Sequence, residues 1–254
     1  MKPFLTVIIP AYNEVANIRA GALDKVATFL EARDFPYEVL VVDDGSQDET
    51  ATLVESFARH HSHFRLVRAP HRGKAPAICT GMLAAQGQIV LFSDMDQATP
   101  IGELTRLLPW FDKGCDVVIG SRGTVRRNAP WWRRAMSRSQ VVLRSVLLGL
   151  RGITDTQCGF KAFRGTVIEP ILSRLSLYSL NTDWEVRGAT VSSGFDVEVL
   201  FVARKLGYSV CEVPVEWDYQ RTRRVNLLRD SLRGVNDLLR IRLADWRGAY
   251  SVDR

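Results

Sequence analysis

Residues 38–50 read Glu-Val-Leu-Val-Val-Asp-Asp-Gly-Ser-Gln-Asp-Glu-Thr. Val39, Leu40, Val41 and Val42 form an unbroken apolar run rather than an alternating one, which fits a strand buried on both faces. The run stops at Asp43-Asp44-Gly45, where glycine permits a tight turn. Ser46, with Glu49 three residues on, is expected to cap a helix that starts there. A buried strand, an acidic turn and a helix in succession predict an α/β protein built on a parallel sheet.

The same unit recurs on either side. Residues 5–9 predict a strand followed by a helix over 17–32. Strands are predicted at 64–67, 89–92 and 117–120, with helical patterns over 74–85 and 101–111 between them. The predicted class is therefore α/β, Rossmann-like, with a mostly parallel sheet flanked by helices and a helical C-terminal portion. Ligands of such sheets bind outside the carboxyl ends of the strands. Here those ends are polar: Pro10-Ala11-Tyr12-Asn13-Glu14, Asp43-Asp44-Gly45, Asp94-Met95-Asp96 and Ser121-Arg122. All fall on one rim, and that rim is the expected site.

The length of 254 residues suits one sizeable domain, read here as 1–254 with a first half to residue 120 and a second from 121. A hydrophobic fraction of 46% excludes an intrinsically disordered chain. The net charge of +6 fits an anionic partner. Cys79, Cys115, Cys158 and Cys211 lack zinc spacing and are expected to be reduced and mostly buried, as in a cytoplasmic protein. No signal peptide is read at the N-terminus, and the longest apolar stretch, 141–150, is short and broken by Arg144. Membrane contact is expected to be peripheral at most.

Asp94 and Asp96 are candidate ligands for one hard cation, Mg2+ or Mn2+, provided the chain leaves the strand pleat there. Such an ion would neutralise a leaving diphosphate. Asp43 and Asp44 either hydrogen-bond a base or ribose edge or simply charge the turn before a helix. Arg72-Gly73-Lys74 puts positive charge ahead of the next helix but lacks the spacing of a P-loop. The four histidines suggest no catalytic base, and no nucleophile elbow is present.

Residues 121–151 carry eight arginines and no acid. Three readings stay open: a solvated face, a nucleic-acid patch with Trp131 and Trp132 for stacking, or a site for an anionic lipid head. The apolar positions 141, 142, 143, 146, 147 and 150 would then line an interfacial helix, or else the core.

The motifs VIIPAYNE (7–14), VVDDGSQDET (41–50), RGKAPAICTGM (72–82), LFSDMDQATP (91–100) and VIGSR (118–122) together resemble glycosyltransferase family 2, of the GT-A fold. DTQCGFKAF (155–163), FDVEVLFVARKLGY (195–208) and EVPVEW (212–217) narrow the likeness to the dolichyl- and polyprenyl-phosphate sugar synthases, the glucosyl branch above all. The segment 177–194 departs from that branch, being longer and more polar.

The resemblance implies roles. Pro10, Tyr12, Glu14 and Asp43 would hold the nucleoside, joined by Asp44 and Lys74 on the donor side. Asp94 and Asp96 would bind the metal beside Gln97, with Arg224 near the diphosphate. Arg122, Arg133, Arg134 and Arg138 would meet the acceptor phosphate, and Asp155, Gln157 and Lys161 would shape its pocket. Residues 1–120 would be the nucleotide-sugar half and 121–254 the acceptor half. The implied reaction is inverting transfer of a sugar, with UDP-glucose the expected donor and a polyprenyl or dolichyl phosphate the acceptor. Alternatives are GDP-mannose as donor, a hydroxyl acceptor, or a non-enzymatic basic module that binds an anion or membrane. No nucleic-acid partner is expected. An acceptor already anionic can attack the anomeric carbon without a base, whereas a hydroxyl needs one. Asp196 and Glu198 are the candidates for that base, with capping of the next helix as their alternative role. A sugar nucleotidyltransferase is disfavoured, because residues 10–14 hold no glycine for a triphosphate loop.

Overall fold

The computed structural model describes residues 2–122, 131–178, 193–218 and 227–251, with side chains omitted at 131–138, 140, 193 and 227–232. Seven strands form one sheet: β1 Leu5–Ala11, β2 Tyr37–Asp44, β3 Phe64–Ala69, β4 Ile89–Ser93, β5 Val117–Ser121, β6 Phe160–Arg164 and β7 Val210–Pro214. Their order is β3-β2-β1-β4-β6-β5-β7. Only β6 runs antiparallel to its neighbours, pairing Ser93 with Phe160 and Val117 with Phe163.

Side-chain alternation explains the continuous apolar strands. Val7 and Ile9 of β1 enter one core and Ile8 the other; Leu91 and Phe92 of β4 divide the same way. One core is closed by α2 (Ala22–Glu31), α3 (Thr50–His60) and the short α5 (Leu104–Leu107). The other is closed by α4 (Lys74–Ala84), α8 (Gly165–Leu172), α9 (Ser193–Lys205) and α10 (Leu227–Trp246). With both faces covered, each strand can be apolar throughout.

The chain steps outward from β1 to β2 and β3, then returns to place β4 on the other flank of β1. The sheet therefore reverses its winding between β1 and β4. A crevice opens at such a switch point, on the carboxyl side. Because β6 is antiparallel, its amino end lies on this same rim, so residues 155–159 reach the crevice from the opposite chain direction.

Four expectations need correction. The helix predicted over 17–32 is two: α1 (Val15–Arg19) ends before Gly21, whose φ of 80° is left-handed, and α2 starts afresh. Ser46 is not a helix cap; α3 begins at Thr50, and Ser46 Oγ instead accepts from the Asn13 amide at 3.0 Å. The 101–111 pattern breaks into a 3-10 turn, α5 and α6 (Pro109–Asp112), with Pro109 opening α6. Cys115, two residues ahead of β5, and Cys211 of the neighbouring parallel strand β7 form a disulfide with Cα atoms 6.1 Å apart. The reading of four reduced thiols is thus overturned, and the cytoplasmic expectation loses the support it drew from them. Cys79 and Cys158 are free and buried.

Candidate active site

Asp94 and Asp96 follow directly on β4 at the switch point. The chain leaves the pleat here through a turn in which the Gln97 amide donates to the Asp94 carbonyl at 3.2 Å and Gln97 takes φ 50°. That departure is the condition under which two carboxylates two residues apart can face one ion. Gln97 is buried, and its Nε2 holds the turn by donating to the Asp94 carbonyl at 2.9 Å and to Ser93 Oγ at 3.3 Å. Its Oε1 is buried without a partner among the described residues.

The Lys74 ammonium pairs with Asp94 Oδ1. Burial pushes the Lys74 pKa down, but Asp94, with Asp196 and Asp96 behind it, pushes it up further and holds it above its usual value. The position is thus already one that attracts a cation. Gly159 explains how close the two chain segments come: a methyl there would fall within 2.6 Å of the Asp94 carboxyl carbon. Gly159→Ala is expected to displace that carboxylate and lower kcat/KM by on the order of 10- to 100-fold, since small misplacements at a reacting centre are costly. Steady-state kinetics over a metal titration would check it; an unchanged metal requirement and rate would refute the contact's importance.

Tyr12 leaves β1 and stacks on His71, with ring centroids 4.1 Å apart and planes 10° from parallel. His71 Nδ1 lies 2.9 Å from both the Asp44 carbonyl and Asp44 Oδ2. Asp44 also accepts from the amides of Arg72 and Gly73 at 2.9 Å each. Asp44 therefore fastens the loop ahead of α4 and has little left for a base or ribose. Asp43 is likewise buried and receives the Ser46 amide at 3.3 Å. Pro10 is buried inside β1, while Glu14 receives the Asn17 amide group and its own N–H donates to Thr50 Oγ1 at 2.7 Å. The nucleoside set is gathered at the ends of β1 and β2, but as a braced loop cluster.

On the far side of the crevice, Arg122 follows β5 and grips Asp155 bidentately, Nε to Oδ2 and Nη2 to Oδ1, both at 2.8 Å. Its guanidinium lies 5.6 Å from the Trp217 ring centroid. Glu212 on β7 fixes the Asp155 backbone, receiving the Asp155 amide at 2.8 Å and the Thr154 amide at 2.7 Å. Burial pushes the Asp155 pKa up, and the Arg122 guanidinium more than reverses this, leaving it below the usual carboxylate value. A depressed pKa stabilises the fold fully above the unfolded value of about 3.9 and loses that contribution as pH falls through the folded one. Asp155→Asn is expected to flatten this acid limb of a melting-midpoint profile below the unfolded carboxylate value; an unaltered limb would count against the clamp.

Gln157 is exposed at the rim, and its amide donates to Asp155 Oδ1 at 3.2 Å. Lys161, expected to help shape the acceptor pocket, acts from below the rim if it does so. It is buried beneath the rim, donating to Asp196 Oδ1 at 2.6 Å and to the Cys158 carbonyl at 2.5 Å. Asp196 is thus held by a buried cation at the base of the crevice. Glu198 is elsewhere. Fully buried, it accepts from the amides of Ser176, Leu177 and Tyr178 at 2.7, 2.8 and 3.0 Å, and from the Tyr250 hydroxyl at 2.6 Å. Three donors on Oε1 and one on Oε2 engage this carboxylate inside the core, away from the crevice, so the expectation of Glu198 as a base is corrected to a core staple. Arg133, Arg134 and Arg138 lie on α7 (Trp131–Leu148), but their side chains, like Arg224 and residues 179–192, lie outside the described residues.

Sequence reading missed His71, Gly159, Glu212 and Trp217. The distances along the chain explain this: His71 meets Asp44 27 residues away, and Glu212 meets Asp155 57 residues away. No local pattern announces such pairs.

With this geometry on hand, comparison with known proteins is decisive. The model of the family Glycosyl transferase family 2 matches residues 6–171. The chain belongs to that family. This transferase is 30% identical to the dolichyl-phosphate beta-glucosyltransferase of Saccharomyces cerevisiae over 268 residues, covering 97% of the chain and 76% of that relative. It is also 30% identical to the enzyme of the same name from Dictyostelium discoideum, with 98% and 77% covered. Among solved structures, glucosyl-3-phosphoglycerate synthase from Mycobacterium tuberculosis, crystallised with Mn2+, UDP and glucosyl-3-phosphoglycerate, superposes with a TM-score of 0.64 at 21% identity, covering 94% of this chain and 80% of that one. That likeness establishes the shared GT-A fold. The transferase's sheet reverses its winding between β1 and β4, and its acidic turn after β4 lies at that switch point, where sheets of this kind bind ligands.

Proposed function

We propose that this transferase moves glucose from UDP-glucose to a polyprenyl or dolichyl phosphate with inversion at the anomeric carbon, and that residues 1–120 hold the donor while 121–254 receive the acceptor. One observation carries the acceptor half of this reading. Both carboxylates that sequence offered as bases are engaged, Asp196 by Lys161 and Glu198 by four donors. A hydroxyl acceptor would need a base; a phosphate monoester is already a nucleophile. The names of the relatives point the same way.

The donor set fits a hard divalent ion. Asp94 and Asp96 are oxygen ligands, and among the described residues no cluster of three or more metal-binding side chains exists, so donor phosphates and water would complete the shell. Mg2+ or Mn2+ held by Asp94 and Asp96 would supply charge neutralisation of the departing diphosphate. Lys74 stands beside Asp94 to share that charge, and Gln97 keeps the turn in place. On the acceptor side, Asp155 and Trp217 orient Arg122, and Lys161 orients Asp196. In this reading Arg122 meets the acceptor phosphate, and positioning with fixed charges supplies the acceleration.

The test is transfer from radiolabelled UDP-glucose, with Mg2+ or Mn2+, to a short-chain polyprenyl phosphate and to the matching alcohol. Product from the phosphate alone is expected. Product from the alcohol at a comparable rate would sink the base-free reading, and GDP-mannose outpacing UDP-glucose would reassign the donor.

A further inference from the structure

Among the described residues, six large apolar side chains stand exposed, and five of them lie on α7 and α10. These two helices pack against each other. On α7 the exposed pair is Val142 and Val146, one helical turn apart, with Val146 75% exposed. Four other apolar positions of that stretch turn inward: Leu148 and Leu150 are buried, and Leu143 and Leu147 pack against the core. The sequence reading of core or interface is thus divided between the two faces of one helix. On α10, Leu238 and Ile241 fill the core, while Leu239, Leu243 and Trp246 form a second exposed stripe, the tryptophan 73% exposed. Spacings of four and three keep that stripe on one side of the helix.

Charge is ordered in the same way. Arg233 and Arg240 of α10 and Arg247, one residue past its end, are exposed at intervals of seven, so they form a row along the helix beside the apolar stripe. The acids of this helix are turned in: Asp237 is half-buried, and Asp245 is paired with Lys205 and Arg242. Arg242 in turn lies over the Trp246 ring at 5.2 Å. The outward face of α10 thus presents apolar side chains, a tryptophan and a row of arginines, with no exposed acid among its described residues.

We propose that α7 and α10 form a docking surface for an anionic lipid bilayer. Arginines draw the face to lipid phosphates, the tryptophan suits the headgroup level, and the apolar stripes enter the acyl boundary. No described helix is long and apolar enough to cross a membrane, so this surface works from one side. A second copy of the chain is the weaker occupant, since self-pairing would set like arginine rows against each other. The inference deepens the lipid-phosphate reading and rests on it for its purpose, yet it is measured without donor or acceptor.

Cosedimentation with phosphatidylglycerol-containing vesicles and with pure phosphatidylcholine vesicles tests it. The wild type is expected to pellet with the anionic vesicles and to be released by salt. The Leu239→Gln/Leu243→Gln/Trp246→Gln variant, which changes only exposed residues, is expected to bind at least about tenfold more weakly, because three apolar side chains lose their burial in the bilayer. Arg240→Ala/Arg247→Ala should lower both the affinity and its salt dependence. Transfer to a water-soluble short-chain acceptor should be unchanged in every variant. Wild type that stays in the supernatant overturns the proposal, as does equal pelleting by the triple variant. A concentration-dependent dimer that the triple variant abolishes, with no vesicle binding, would assign the face to a second copy and overturn it as well. Vesicle binding without transfer would leave this surface standing and remove the proposed function.

Discussion

Asp96→Ala is expected to lower kcat/KM for glycosyl transfer by about 10³-fold while leaving the melting midpoint almost unmoved. Asp96 is partly exposed at the crevice and, among the described residues, makes one local bond, accepting the Ala98 amide at 3.1 Å, so the fold depends little on it. Its proposed work begins only when a donor diphosphate and its cation arrive. The loss should lie mainly in kcat and should not be recovered by raising the donor concentration. Excess Mn2+ should recover part of it at most, because Asp94 still offers oxygen. Steady-state kinetics across donor and metal concentrations decide the matter. Wild-type turnover at saturating donor would remove Asp96 from the metal site.

Glu198→Ala has the opposite signature: a large loss of stability and a small loss of chemistry. The substitution strands the amides of Ser176, Leu177 and Tyr178 and the Tyr250 hydroxyl in a buried setting. Breaking a buried charged network of this kind costs about 3–5 kcal/mol. Burial and then Glu198 raise the Tyr250 pKa well above its usual value, and the same two causes lift the Cys79 thiol to about 12. The carboxylate therefore sits amid groups that stay protonated beside it. Denaturant unfolding should report the loss, and activity normalised to folded protein should stay within about threefold of wild type. A variant as stable as wild type but dead at saturating substrates would restore Glu198 as a base. Glu198→Gln should fall between the two, since an amide keeps one acceptor but turns a donor toward the stranded N–H groups.

The contrast between Asp96 and Glu198 shows how far one-dimensional reading reaches. Both are acids, and both looked suited to chemistry. Asp96 follows a buried strand at the carboxyl rim, and that position alone places it in the crevice. Glu198 lies on α9, where a helical residue can face core or cleft; its direction is set by Tyr250 and by the 176–178 turn packed against it. Asp44 tells the same story at the rim. Its position at the end of β2 was legible, while its use as a staple for the Arg72 and Gly73 amides depends on a loop 28 residues downstream.

Continuous apolar strands alternating with helices sufficed to determine a parallel sheet covered on both faces, because strand burial follows from composition and period. They determined the shared rim as well, since parallel strands all end on one side. The acidic pair after β4, the lysine opening α4 and the arginine after β5 could therefore be named from sequence. Tertiary structure alone decided the rest. It reversed β6, so that Gly159 meets Asp94 and Asp155 meets Arg122. It joined Cys115 to Cys211 across β5 and β7, against the reduced reading. It also chose which carboxylates remain open at the crevice. These outcomes rest on contacts between residues tens of positions apart, and the free energy of such a contact depends on packing that no local window contains.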